Sequence, residues 1–289
     1  MPNFEKSVYI DVCTFDSLRN KSQQIINLVN KILGIFVTRY NMDISILIKK
    51  YDGRFKKMQY NLRNWDKLTN MIYNNEIRHL LFSYILYEEL NQPEFALSIT
   101  FDYAYKDELY KNKILANNMS LSLNLRLFNG KIPNDVQVEI KSIFLSIFKE
   151  LNGVVGYVNV GFPHATITPN STIYEGIQGY SFTSFSIEFD CKARGYFWGN
   201  ILTEKHIEKL GGIDSIKNKA PCYNIEEIKF GNRVAVYLQL TQNINNYTDE
   251  QLVQLRDYIK PILHVSNYDE IKRLDPEGDL RKKARVFFD

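Results

Sequence analysis

Three cysteines in 289 residues, Cys13, Cys191 and Cys222, are too few and too scattered for a disulfide framework. No run of 18 apolar residues is present, which excludes a membrane-spanning helix. The opening residues Met1-Pro2-Asn3-Phe4-Glu5-Lys6 lack the basic-then-apolar pattern of a secretory leader. These absences give the expectation of a cytoplasmic protein with reduced thiols. Charge of one sign is also scarce. The net charge of +3 supplies little field for wrapping nucleic acid, and it opposes mimicry of DNA, which needs a strongly acidic surface. Fourteen glycines and eight prolines form no low-complexity linker. The phosphate-cradling G-x-x-x-x-G-K-[ST] and G-x-G-x-x-G patterns are missing, as is a G-x-S-x-G nucleophile elbow.

Aromatic residues, by contrast, reach 13%, with 19 Tyr and 18 Phe. Ile, Asn, Lys, Tyr and Phe have AT-rich codons and are abundant, while Ala, which has GC-rich codons, occurs eight times. An AT-rich genome accounts for most of this bias. A surplus of Tyr on a partner-binding surface is the other reading.

Periodicity predicts an α+β fold, an antiparallel sheet with helices packed on one face. Val8, Ile10 and Val12 alternate with polar or mixed neighbours from Ser7 to Cys13, as in a strand. Leu18, Ile25, Val29, Ile32 and Phe36 recur at helical spacing, with Asp16 or Ser17 placed to cap them. Asp43 to Tyr60 reads as a hairpin with a two-residue turn at Asp52-Gly53. Asn64 to Asn74 reads as a short helix. Glu76 to Leu90 fits helix and strand equally. Phe95 to Tyr105 and Met119 to Leu127 alternate cleanly, the mark of a sheet with one face on the core. A long helix starts after Pro133 and stops at Gly153. Strands are expected at Val154 to Val160, Ser184 to Phe189 and Arg233 to Leu240. Short helices are expected from Thr203 and Asp214, and a capping box at Thr248-Asp249-Glu250-Gln251 opens the last one. With no linker, residues 1–289 read as a single unit, and the order of elements suggests two related halves, 1–130 and 131–289.

Candidate chemistry is sparse. The four histidines show no metal-ligand spacing, so no metal or cofactor is expected. His206 reads as solvated on an exposed helix. His164, in a loop after Gly161-Phe162-Pro163, is the one histidine kept as a site candidate. Cys222 has no neighbouring histidine or helix start to lower its thiol pKa, and a buried cysteine is the default. Carboxylate pairs such as Glu88-Glu89 and Glu226-Glu227 default to solvated charges. The hairpin stands out more: Lys49, Lys50, Arg54, Lys56 and Lys57 are interleaved with Tyr51, Phe55 and Tyr60. Cations alternating with aromatics suit a protein partner or a single nucleic-acid strand. Lysines on an edge strand also keep that edge unpaired.

The run Gly195-Tyr196-Phe197-Trp198-Gly199-Asn200, followed by Leu210-Gly211-Gly212, resembles the bacterial type VI immunity family. The resemblance covers about residues 7 to 265, with the block from Trp198 to Gly212 its most specific part. It gives Gly195, Trp198, Asn200, Leu210, Gly211 and Gly212 structural roles, Trp198 as a core anchor. It implies a protein that binds and neutralises a toxin, and it carries over no catalytic residue. The AT-rich composition departs from that family's setting. It is similar to that of inhibitors encoded by phages of AT-rich hosts, among which the Gabija anti-defence proteins also act by binding.

The functional expectation is therefore a non-enzymatic inhibitor that occludes a toxin or an antiphage-defence nuclease. Its partner is a protein, not a membrane or a nucleic acid, and a homo-oligomer is left open. Tyr51, Arg54, Phe55 and Lys56 of the hairpin, with Tyr103, Tyr105 and Tyr110, are the expected contact residues. The alternative classes are an enzyme using Cys222 or His164 and a nucleic-acid-binding module.

Overall fold

The computed structural model describes residues 6–85, 93–102, 116–161, 191–193 and 195–263. The chain divides into two compact units, Val8–Gly153 and Val154–Asp289 with Met1–Ser7. The division thus falls after the long helix that follows Pro133, rather than before it near residue 130.

The Val8–Gly153 unit contains strands β1 (Ser7–Thr14), β2 (Ser45–Lys50), β3 (Phe55–Gln59), β4 (Ile77–Tyr84), β5 (Phe95–Thr100) and β6 (Asn117–Asn124). Its helices are α1 (Ser22–Tyr40), α2 (Leu62–Tyr73) and α3 (Asn134–Leu151). The strand order is β3-β2-β4-β5-β6-β1, and the pairings from β3 to β6 are antiparallel. Register places Ile46, Phe82, Leu97 and Leu121 in one row and Ile48, Leu80, Ile99 and Met119 in the next. Each of these side chains is fully or almost fully buried. Helices cover this face: Phe36 of α1 meets Phe95 at 6.2 Å between ring centroids, and Trp65 of α2 meets Phe82 at 6.3 Å. α3 packs on α1. The opposite face carries polar or small rows, Ser45–Ser83–Ala96–Ser122 among them. The alternation therefore became an antiparallel sheet with helices on one face.

Three local expectations are settled or corrected, and a fourth lies outside the described residues. Of the stretch from Glu76 to Leu90, Ile77–Tyr84 is a strand, β4, because its alternate residues complete the apolar rows, and residues 86–90 lie outside the described residues. Neither Asp16 nor Ser17 caps α1 through its side chain. A 3-10 turn at Leu18–Lys21 intervenes, and Asp16 instead accepts a hydrogen bond from Asn152 and pairs with Lys21. The strand from Phe95 ends at Thr100, and the strand expected to reach Leu127 gives way to a 3-10 turn at Leu125–Phe128. The expected strand Ser184 to Phe189 lies outside the described residues.

The other unit holds β7 (Val155–Gly161), β8 (Gly199–Leu202), β9 (Asn224–Phe230) and β10 (Arg233–Gln239), in the order β7-β8-β10-β9 with antiparallel pairings. Helices α4 (Glu204–Lys209), α5 (Ile213–Lys219) and α6 (Asp249–Ile259) accompany them. α4 packs against β10 and α5 against β9. The capping box at Thr248 forms as expected, with Thr248 Oγ1 accepting from Gln251 N and Gln251 Oε1 accepting from Thr248 N.

Two glycines show how tightly helix ends and interiors differ. α3 ends at Asn152 in the left-handed conformation, and the Gly153 N–H then donates to Phe148 O at 2.9 Å. A Cβ on Gly153 would sit 2.5 Å from the buried Phe148 ring. Gly34 lies on the exposed face of α1 with nothing near its missing Cβ. Gly153→Ala is therefore expected to destabilise the protein by about 1–3 kcal/mol through overpacking. Gly34→Ala is expected to stabilise it by about 0.5–1 kcal/mol through helix propensity. Urea-denaturation midpoints of the two variants should move in opposite directions.

Candidate functional site

The β2–β3 hairpin is built by its turn. Lys50 N–H donates to Arg54 O at 2.9 Å and Gly53 N–H donates to Lys50 O at 3.1 Å. Three residues, Tyr51, Asp52 and Gly53, thus close the loop, one more than the two-residue turn expected. Gly53 takes φ +85°, a value that favours glycine over any residue with a Cβ. Asp52 fastens the turn: its Oδ1 accepts from Arg54 N at 2.9 Å and its Oδ2 from Arg54 Nε at 2.6 Å. These bonds hold the Asp52 carboxyl below the usual carboxylate range.

Around that turn the expected contact residues separate. Phe55 is 63% exposed, and Lys49 Nζ lies 5.3 Å from its ring centroid. Arg54 is exposed but committed to Asp52. Lys50 is paired with Glu76 at 2.8 Å. Lys56 and Lys57 are exposed and have no ion pair among the described residues. Tyr51 is the residue that departs from expectation. Its hydroxyl is buried, and the Arg19 guanidinium carbon sits 4.9 Å from its ring centroid. Burial raises its pKa, so the ring works as packing for the turn. Tyr103, Tyr105 and Tyr110 lie outside the described residues, as does His164.

A polar row runs across the sheet from this hairpin. Register sets Phe55 opposite Lys49, Lys49 opposite His79, His79 opposite Thr100 and Thr100 opposite Asn118. His79 Nδ1 is 3.3 Å from Thr100 Oγ1, and Asn118 Nδ2 donates to Asp11 Oδ1 at 3.2 Å. Asn118 is 1% exposed, and its Oδ1 accepts no hydrogen bond among the described residues. The sequence offered no reason to keep His79, since the four histidines show no metal-ligand spacing. A strand assignment, which puts His79 on the face opposite Leu80 and Phe82, is the signal that finds it.

The residues of the family-like run take structural positions. Trp198 is 2% exposed and its Nε1 donates to Thr241 O at 3.0 Å, so it anchors the core. Asn200 staples its own turn, donating to Phe197 O at 2.7 Å and accepting from Phe197 N at 3.2 Å. Gly195 is buried. Leu210 caps α4, and Gly211 and Gly212 follow at φ +86° and +91°. His206 is a correction: it is fully buried, not solvated. It occupies the third position of α4, and its Nδ1 accepts from Thr203 N at 3.2 Å, the role a Glu or Gln plays in a capping box. Burial pushes the Cys222 thiol up to about 12, so it is a protonated thiol at neutral pH. Among the described residues no group of His, Cys, Asp and Glu is arranged to hold a metal ion. No helix among them is long and apolar enough to cross a membrane.

The fold is thus an α+β sheet protein with an exposed cationic hairpin at one sheet edge. Among solved structures, the chain is similar to the Pseudomonas aeruginosa T6SS protein PA0821, with a TM-score of 0.57 and 11% sequence identity. The match covers 93% of this chain and 81% of that one, and it is a likeness of fold. No known family profile matches the chain, and no curated protein does.

Burial, with the Lys49 cation second, holds the His79 pKa below its ordinary value of 6.5. The unfolded chain therefore binds a proton here at a higher pH than the folded one. The stability this neutral ring supports is complete above the ordinary value and is lost as pH falls below it. Acidification from about pH 7.5 to 5.5 should lower the denaturation midpoint more in the wild type than in His79→Gln.

Proposed function

We propose that this chain is a binding protein that neutralises a toxin by occluding it, with the β2–β3 hairpin at the centre of the contact and no chemistry of its own. The observation that carries this reading is the hairpin. Phe55 stands out of a sheet edge with Lys57 on its own face and Lys56 on the other, and neither lysine makes an ion pair among the described residues. An exposed aromatic beside Lys49 and on the face of Lys57, next to a turn fixed by Asp52 and Gly53, is a preorganised anchor with a polar rim. The fold supports the same class, since its likeness is to a protein of the type VI secretion system. The resemblance of the Trp198-to-Gly212 run to type VI immunity proteins points the same way. Cys222, the described candidate for covalent chemistry, is held as a thiol by burial.

A steric inhibitor works by stoichiometry. It covers an interface of about 1,600 Å² and stays there. The test begins with in-cell crosslinking and mass spectrometry to find the bound protein, which is then purified. Increasing amounts of the chain should abolish that protein's activity at a one-to-one ratio, with a complex that survives size-exclusion chromatography. Phe55→Ala with Lys56→Glu should weaken the complex about tenfold or more, the range of one lost anchor and one reversed charge. Inhibition at substoichiometric amounts, with turnover, would overturn the reading and favour an enzyme.

A further inference from the structure

The hydrogen-bond register of the hairpin says more about the partner than its charges do. Antiparallel strands alternate between pairs that exchange backbone hydrogen bonds and pairs that do not. Lys50 and Arg54 are a bonded pair at the turn, and Tyr60 N–H donates to Ile44 O at 2.8 Å at the far end. Between them the pairs are Lys49–Phe55, Ile48–Lys56, Leu47–Lys57, Ile46–Met58 and Ser45–Gln59. Counting from either end, Lys56 and Met58 spend their backbone groups on β2. Phe55, Lys57 and Gln59 turn theirs away from it.

Among the described residues β3 is the first strand of its sheet, so those outward groups face no further described strand. One of them is taken: Asn64 Nδ2 donates to Gln59 O at 2.8 Å, which ends the open edge where α2 begins. What remains is the N–H and C=O of Phe55 and of Lys57, and the N–H of Gln59. Four of the five β3 residues are exposed, and Met58 is half-buried. The side chains of the two faces differ. Phe55, Lys57 and Gln59 share the face of the polar row, while Lys56 and Met58 share the face that the helices cover.

We infer that the β3 edge binds an extended acidic segment of the partner by strand addition, its backbone pairing with Phe55, Lys57 and Gln59 and its carboxylates lying across from Lys56 and Lys57. This deepens the reading of the hairpin as the contact surface and rests on it. Charge complementarity selects the occupant. Like charges directly across a strand pair repel and opposite charges attract. Lysines on both faces of β3 therefore repel the same edge of a second copy while attracting an acidic strand. Backbone pairing gives such a contact its affinity, and the alternate side chains give it its preference.

The probe is a blocked heptapeptide of Val and Thr with an adjacent Glu-Glu pair at its centre, one carboxylate on each face of the added strand, with a Lys-for-Glu counterpart, titrated into the isotope-labelled full chain and followed by amide NMR. With the acidic peptide, the amides of Phe55, Lys57 and Gln59 should shift and gain protection from hydrogen exchange. Protection at Lys56 and Met58, already bonded to β2, should change little. Affinity should fall at least about fivefold between roughly 50 and 300 mM salt, as screening of exposed charge requires.

Lys57→Pro removes an N–H that makes no bond within the sheet. It should abolish binding while amide signals away from the hairpin stay in place. Lys56→Glu with Lys57→Glu keeps the backbone donors and should exchange the preference, so that the Lys peptide binds and the acidic one does not. No shift at the edge amides, equal binding of both peptides, or binding that survives Lys57→Pro would overturn the inference. So would concentration-dependent pairing of β3 with itself. Those failures leave the occlusion reading standing if the identified partner is still inhibited at one to one. Peptide binding without such inhibition would have the opposite meaning.

Discussion

A side-chain period of two, kept in register across β2, β4, β5 and β6, is the constraint on which the Val8–Gly153 unit depends. Each of these strands contributes its buried apolar residues to the same rows, and α1 and α2 close over them. A slip of one residue in any strand would carry Ile46, Phe82 or Leu97 to the polar face and bring serines into the core. Burying each such side chain is worth about 1.5–3 kcal/mol relative to exposure. Register is therefore fixed by several residues at once, and the β2–β3 turn inherits it.

That inheritance joins fold to function. Tyr51, Asp52 and Gly53 form a three-residue loop closed by the Lys50 N–H to Arg54 O bond and tied by Asp52 to Arg54 N. Arg54 is the bonded residue at the turn, so alternation puts the next bonded pairs on Lys56 and Met58. With the register of β2 set by the core, the backbone groups of Phe55 and Lys57 have no direction left but outward. Nothing at the tip needs to move for these groups to meet a partner, which removes part of the ordering cost of association. Tyr51, held beneath Arg19 with its hydroxyl buried, and Arg54, bound to Asp52, contribute rigidity rather than contact.

Much of this was legible in the sequence, and the misses have identifiable causes. Alternation in Phe95–Thr100 announced a strand because its buried side faces the core, and alternation in Ser7–Cys13 did so although nearly every residue there is buried. The helix from Val136 to Leu151 announced itself by its apolar stripe. Ile77–Tyr84 hid because Leu80 and Leu81 are adjacent, which blurs alternation into a run that a helix can share. His206 hid for a different reason: a histidine at the third position of a helix looks solvated until the cap it serves is seen. The basic hairpin was visible as a cluster of residues. Sequence did not show which of its members were spent internally, since the ion pairs of Lys50 with Glu76 and the stacking of Arg19 on Tyr51 join segments distant in the chain.

Edge lysines are usually explained as protection against aggregation, and that explanation is compatible with recognition rather than opposed to it. Protection requires that a second copy of the edge be repelled. Recognition requires that some other strand be accepted. A cationic edge does both with the same residues, because the sign of the interaction depends on what approaches. The electrostatic share of each lysine is small, about 0.2–1 kcal/mol for an exposed pair. Charge alone therefore cannot hold a partner strand; it selects among strands that backbone bonds already hold. The apolar contribution must come from Phe55, whose exposed ring lies on the same face as Lys57, beside Lys49. A strand that satisfied the backbone but placed a cation over that pair would lose the selection. One that placed a carboxylate there would draw Lys49 from the ring and keep the ring for its own apolar neighbour.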